Sequence, residues 1–216
     1  MERQSLRHGH FREQAGGGGK KERTRAALVD AAIKVVAEKG MEALRITDVT
    51  TAADVANGTF YNHFDDKNEI LREAAFGIAF EVSRKLDADM EDIEDGPTRV
   101  VTATAQFIEI MIAAPDWAAV VLGGTDHVPQ LRENVDTYLR ADLERGVAQG
   151  KFDVEVTRFL VDQIFALIAV TVRAQLEDGK DRRLTAQVCE SIMRLLGVGG
   201  AKARKLVAAA LTVDNL

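Results

Sequence analysis

Between Arg45 and Lys67 the chain reads RITDVTTAADVANGTFYNHFDDK, and this segment constrains the fold more than any other. It holds two short helical patterns joined by a tight turn. The second pattern carries Asn57, Gly58, Thr59, Tyr61, Asn62 and His63, with Phe60 and Phe64 four residues apart. Residues four apart share a helix face. The two phenylalanines therefore form an inward anchor. Val49 and Ala53 face the same small core, Ala52 allows close packing and Val55 plugs the turn. The polar group is left outside, on a short helix held from behind.

The remainder of the chain reads as helix. It has only three prolines in 216 residues and no alternating strand pattern. Leu28, Ala31, Ala32, Val35 and Val36 recur at helical spacing and predict a helix from about Arg23 to Glu38, with Gly40 as its stop. Short helices are expected from about Thr47 to Ala53 and from about Asn57 to His63. A longer one starts near Asp66, which with Asp65 can cap its N-terminus, and runs to about Lys85. After an acidic connector, Asp87 to Pro97, the pattern gives helices at about 98–113, 115–121 (ended by Gly123-Gly124), 129–149, 154–177, 182–196 and 201–211. The fold class is all-α. The expected domains are a flexible N-terminal arm over 1–19, a helix-turn-helix DNA-binding domain over 20–85, and a helical bundle over 86–216 for ligand binding and dimerisation. Arg3, Arg7 and Arg12 of the arm are candidates for phosphate or minor-groove contacts. His8 and His10 have no further ligands nearby and read as solvated.

The formal net charge of −6 is unevenly spread. From Met1 to Thr47 ten Lys and Arg face six Asp and Glu, whereas from Leu86 onward fourteen face twenty-one. An acidic C-terminal surface does little to a basic N-terminal face, because screening limits its reach to about 8–10 Å. The longest unbroken apolar run, Ile164 to Val172, falls short of the roughly 20 residues of a membrane span. No secretory signal is read at the N-terminus, and the one cysteine, Cys189, fits a reducing cytoplasm. Four histidines, one cysteine and no phosphate loop after a strand make a poor catalytic inventory, so no enzyme, cofactor or metal is expected.

Within the expected bundle, the stretch Ile164 to Val172 is apolar on all faces, which asks for burial on every side. A second copy of the chain is the simplest supplier of the missing cover. Leu184, Val188, Ile192 and Leu195 form the next stripe, so two helices from each copy would make a four-helix interface. Phe107, Met111, Trp117, Phe165, Ile168 and Thr171 are the candidate pocket for an apolar or amphipathic effector. Arg173 and Gln175 could anchor its polar end. His127 is a candidate pocket or pH-sensing residue, and Cys189 reads as a small buried hydrophobe.

The outward residues of the third helix suit a DNA groove. Asn57 carries the donor and acceptor pair that matches the major-groove edge of adenine. Gly58 lets backbone approach a base, and Thr59 offers a methyl to thymine or a hydroxyl to phosphate. Asn62 stands beside them. Tyr61 and His63 can donate to phosphates and fix register. Thr47 and Lys67 lie at helix starts, where backbone amides already favour phosphate.

Gly58-Thr59-Phe60-Tyr61-Asn62-His63-Phe64, followed by Lys67, resembles the signature of the TetR family of bacterial regulators. Gly40 and Ile46-Thr47-Asp48-Val49 are similar to that family's lead-in, and the resemblance covers about Arg23 to Ala75. It implies an all-helical homodimer whose C-terminal domain binds a small effector. It places DNA contact on Asn57, Gly58, Thr59, Tyr61, Asn62, His63 and Lys67. Two positions depart from the pattern. Arg45 replaces a common threonine; it cannot accept from helix amides, but it can reach a phosphate. Asp54 replaces a common glycine in the turn, where aspartate tolerates a left-handed backbone better than most residues. The expected function is a ligand-responsive transcriptional regulator, a repressor that binds a palindromic double-stranded operator in the cytoplasm without any membrane. The competing reading is a helical protein-interaction or small-molecule-binding module without regulated DNA binding.

Overall fold

The computed structural model describes residues 9–127 and 129–212, the side chains of 125–127, 129–137 and 212 excepted. Arg3, Arg7 and His8 lie outside the described residues, as does the side chain of His127. Every described element is helical: α1 His10–Gln14, α2 Lys20–Lys39, α3 Ile46–Ala52, α4 Asn57–Phe60, α5 Lys67–Asp89, α6 Gly96–Ala113, α7 Pro115–His127, α8 Pro129–Ala148, α9 Arg158–Asp178, α10 Arg182–Leu195 and α11 Gly200–Thr212. Several expected boundaries move, with α2 starting at Lys20 rather than near Arg23 and α9 at Arg158 rather than near Val154. The reading helix α4 is regular only to Phe60, and Asn62 and His63 continue it as hydrogen-bonded turns onto Thr59 and Phe60. Helix α5 runs past Lys85 to Asp89. Helix α7 runs through Gly123 and Gly124, because a glycine pair weakens a helix without forcing it to stop.

The chain forms two compact units. One comprises the chain up to Phe80 with Ala113–Arg132, the other Glu81–Ile112 with Glu133 onward. The chain thus divides at Phe80 rather than by a single cut near residue 85, with α7 in the first unit and packed on α2.

In the first unit, α2 buries Leu28, Val29, Ala31, Ala32, Ile33, Val35 and Val36 along one side. Glu22 accepts from the Gly19 amide at 3.0 Å and closes its N-terminus. Gly40 ends it at φ 83°, a left-handed value that costs glycine little. Residues 9–17 are not a flexible arm. They form α1 and a short 3₁₀ turn, Ala15–Gly17, packed on α2. The sequence hides this because so short a helix shows no periodicity.

In the second unit, α6 and α9 supply the core through Val101, Ala105, Ile108, Met111, Ile164 and Val172. The Thr157 hydroxyl accepts from the Leu160 amide and Asp181 from the Arg183 amide, capping α9 and α10. Arg99 donates to Asp142 at 2.6 Å and to the Met90 and Ile93 carbonyls, fixing the connector after α5. Helices α6 and α8 cross closely at Gly96, where a Cβ would lie 2.7 Å from the Gly146 backbone. Helix α9 has 21 residues and a window of mean hydropathy 1.6, long and apolar enough to cross a membrane. Counting only unbroken runs missed this, because Asp162 and Gln163 interrupt the run without lowering the mean much.

Candidate nucleic-acid interface

The reading unit is assembled from its turn. Helix α3 ends in two linked bonds, Val55 N–H to the Thr50 carbonyl at 3.0 Å and Asp54 N–H to the Thr51 carbonyl at 3.2 Å. This is the Schellman pattern, which requires a left-handed residue just past the helix. Asp54 occupies that place at φ 55°, alone among the described non-glycine residues in having a positive φ. The departure from glycine is thus absorbed without loss of the turn. Arg45 sits at the N-cap of α3 and makes no side-chain cap there; its carbonyl accepts from the Asp48 and Val49 amides.

Behind α4, Phe60 is 0 % and Phe64 1 % exposed, with ring centroids 5.6 Å apart. Val49 is fully buried beside them in the same unit. In front, Tyr61 is 60 % exposed. Arg45, Thr47, Asn57, Gly58 and Asn62 are exposed too, while Thr59, His63 and Lys67 are half-buried. Phe60 and Phe64 are thus sealed as expected, whereas Thr59 and His63 are only half-exposed and Ala52 is exposed rather than closely packed.

Two further contacts fix this face. The Thr50 hydroxyl donates to Asn57 Oδ1 at 2.9 Å, tying α3 to the first residue of α4. The amide nitrogen of Asn57 and the second lone pair of its oxygen remain for a base edge. Arg25 on α2 is the larger omission from the sequence reading. Its Nε donates to both Glu73 carboxylate oxygens, at 2.8 and 3.1 Å, and its guanidinium reaches the His63 carbonyl. It also lies 4.2 Å over the Phe64 ring and 3.7 Å from Glu69. One cation thus joins α2, the end of the reading turn and α5. Hydrogen bonding to Glu73 is the main reason its pKa is raised, against the pull of burial. The signal in the sequence was the acidic pair Glu69 and Glu73, one helical turn apart, which needs a cation.

His63 is shifted below the ordinary histidine pKa, first by burial and then by the positive charges of Lys21 and Arg25. Both causes favour its neutral form. Its Nδ1 is buried without a hydrogen-bond partner among the described residues. A buried lone pair costs less there than a buried N–H, so the proton belongs on Nε2, where it is available as a donor. Helix α5 begins as the sequence predicts. Asp66 accepts from the Asn68 and Glu69 amides at 2.7 and 2.8 Å, and Glu69 accepts from the Asp65 amide at 2.6 Å.

The second candidate site is rearranged. Trp117 belongs to the first unit, 5.3 Å from His10 and 6.0 Å from Phe11 between ring centroids, and so leaves the pocket proposed within the bundle. Phe107, Met111, Phe165, Ile168 and Thr171 remain in the second unit; Met111, Ile168 and Thr171 are buried there. Gln175 is not a free anchor. It donates to the Thr185 hydroxyl at 3.0 Å and accepts from the Asp181 amide at 2.9 Å. Arg173 is exposed.

The expected dimer stripe divides between the core and the surface of its own unit. Val188 and Ile192 are buried within their own unit, leaving Leu184 and Leu195 half-exposed. The open apolar surface lies instead on α9, where Val170 is 64 % exposed and Phe159, Leu167 and Leu176 are also exposed. Leu167, Val170, Leu184, Val188 and Leu195 line a groove of about 830 Å³ along α9 and α10. Helix α9 thus has an inner face, with Ile164 and Val172 fully buried, and an open outer one that only a partner could cover. Cys189 is buried in the second unit, and burial pushes its thiol up to about 12. Among the described residues, no three His, Cys, Asp or Glu gather as metal ligands would.

This arrangement defines a helix-turn-helix protein with a separate helical unit. The family model of bacterial regulatory proteins of the tetR family matches residues 28–74. The chain is 31 % identical over 75 residues to the HTH-type transcriptional repressor DhaR of Mycobacterium sp. strain GP1, covering 35 % of this chain and 38 % of that repressor's length. It is 26 % identical to the HTH-type transcriptional repressor KstR2 of Rhodococcus jostii strain RHA1, over 67 % of this chain and 78 % of that one. In fold it is similar to the crystal structure of the transcriptional regulator FadR from Bacillus subtilis in complex with stearoyl-CoA. The TM-score is 0.67 at 20 % identity, covering 81 % of this chain and 97 % of that one.

Proposed function

We propose that this chain is a transcriptional repressor that binds a palindromic operator as a homodimer and is released by a small apolar or amphipathic effector. The observation that carries the reading is the division of α4 and its turn into a sealed back and a polar front. Phe60 and Phe64 are buried while Asn57, Gly58, Tyr61 and Asn62 are exposed. A helix whose outer face offers amide, backbone, hydroxyl and phenol groups is equipped for base edges and phosphates. Asn57, Gly58 and Thr59 are the base-facing candidates. Tyr61, His63, Lys67, Thr47 and Arg45 hold the phosphates, and Asn62 extends the polar front. The relatives DhaR and KstR2 are repressors by name, which favours repression for this chain. Its place is the cytoplasm, with the DNA.

A dimer is favoured by the groove along α9 and α10, since exposed Val170, Leu167 and Phe159 offer apolar surface that a second copy can cover. Two reading helices then meet half-sites about one turn of DNA apart, or a multiple of it. An effector that changes their spacing weakens both contacts together, and a coupling of about 2.7 kcal/mol amounts to about a hundredfold loss of affinity. The complex of FadR with stearoyl-CoA supports an amphipathic effector, as do the apolar candidates Phe107, Met111, Phe165 and Ile168. The test is a mobility shift on DNA upstream of the chain's own gene, with long-chain acyl-CoA added in a second titration. A specific shift reversed by acyl-CoA is expected. No shift on any fragment would leave the interaction module as the better reading. A shift that persists at saturating acyl-CoA would remove that effector class.

A further inference from the structure

Residues 9–14 are held on the first unit by two otherwise unfavourable choices and one buried ring. Asp30 is a buried carboxylate on the apolar side of α2, and it accepts from the Phe11 amide at 3.3 Å and the Arg12 amide at 2.8 Å. These are among the open amides of the first turn of α1, so one helix caps another. Gly77 interrupts the middle of α5, where glycine disfavours helix. A Cβ at Gly77 would come within 2.7 Å of the Phe11 ring, so the missing side chain leaves the space that ring fills. Trp117 of α7 is 2 % exposed; Phe11 stacks on it and His10 meets it edge-on, while Gln14 and His10 approach at 2.8 Å. One short segment therefore touches α2, α5 and α7 together.

We infer that residues 9–14 are an intramolecular clamp that braces α5 and thereby sets the DNA affinity of the reading turn. The inference rests on the DNA-reading role proposed above. Helix α5 begins directly after that turn and is tied to it through Arg25, Glu73 and the His63 carbonyl. Any tilt of α5 against α2 must draw Gly77 off the Phe11 ring. The docked clamp holds α5 in the position that presents Tyr61 and His63, and its release lets α5 drift. Phe11, Asp30 and Gly77 are positioning residues and touch no DNA themselves.

Trp117 is the chain's one tryptophan, so its emission reports docking directly. The test compares the full chain with Phe11→Ala and Gly77→Ala. It reads Trp117 emission, amide exchange along α5, and affinity for a duplex that the unaltered chain selects from a random-sequence pool. Both variants should shift the emission to the red, speed exchange around Gly77 and weaken the duplex complex about tenfold, within the usual range of coupling between sites. Gly77→Ala separates clamping from general stability: it improves helix propensity yet should still lower affinity. Unchanged affinity, unchanged exchange in α5, or unshifted emission would each overturn the clamp. If the unaltered chain selects no duplex, the DNA-reading proposal fails by itself, and exchange in α5 still decides whether the clamp exists.

Discussion

The reading turn and the outer face of α9 both expose side chains, but of opposite chemistry. Around α4 the exposed groups are polar and two aromatic rings are sealed behind them. On α9 the exposed apolar groups include Phe159, Leu167, Val170 and Leu176, with Ile164 and Val172 sealed behind. A polar front on a rigid back suits a hydrated, charged partner. An apolar front suits one that excludes water. The contrast teaches that the character of the exposed side, more than burial itself, separates the two proposed partners, DNA and a second copy of the chain.

The contrast can be broken from its sealed sides first. Phe60→Ala empties the anchor of α4 and should cost about 3–5 kcal/mol in denaturant unfolding; a loss below 1 kcal/mol would mean that the ring does not support the reading turn. Val170→Asp places a charge on the apolar front. It should raise the dimer dissociation constant by about 2–4 kcal/mol, read by sedimentation, while leaving the helical signal intact. An unchanged dimer would move the interface elsewhere. Arg25→Ala removes the tie among α2, the reading turn and α5. A loss of about 1–2 kcal/mol is expected, discounted because the side chain is about one third exposed. Asp54→Gly relieves the left-handed turn and should stabilise by up to about 1 kcal/mol without changing affinity for DNA.

Much of the first unit was legible because local rules agree there. Gly40, Asp66 and the spacing of Phe60 and Phe64 each announce a stop, a cap or an anchor within a few residues. Arg25 was not legible, since its partners Glu73 and the His63 carbonyl lie 48 and 38 residues away. Nor was α1, whose docking depends on Asp30, Gly77 and Trp117 meeting in space. In the second unit, the stripe on α10 had the right period, but period alone does not say which side is inside. Ile192 faces its own core, whereas Leu184, Val188 and Leu195 line a groove shared with Leu167 and Val170 on the neighbouring helix. The pocket suffered the same limit, with Trp117 falling in the other unit.

The claim on which the account turns is that the polar front of α4 holds DNA. Tyr61→Ala combined with His63→Ala leaves Phe60 and Phe64 in place and removes two proposed phosphate donors. Measured on one operator duplex at fixed salt, with the dimer confirmed intact, the double variant should bind about a hundredfold more weakly, as expected for two contacts of about 1–2 kcal/mol each. Wild-type affinity in that variant would contradict the account.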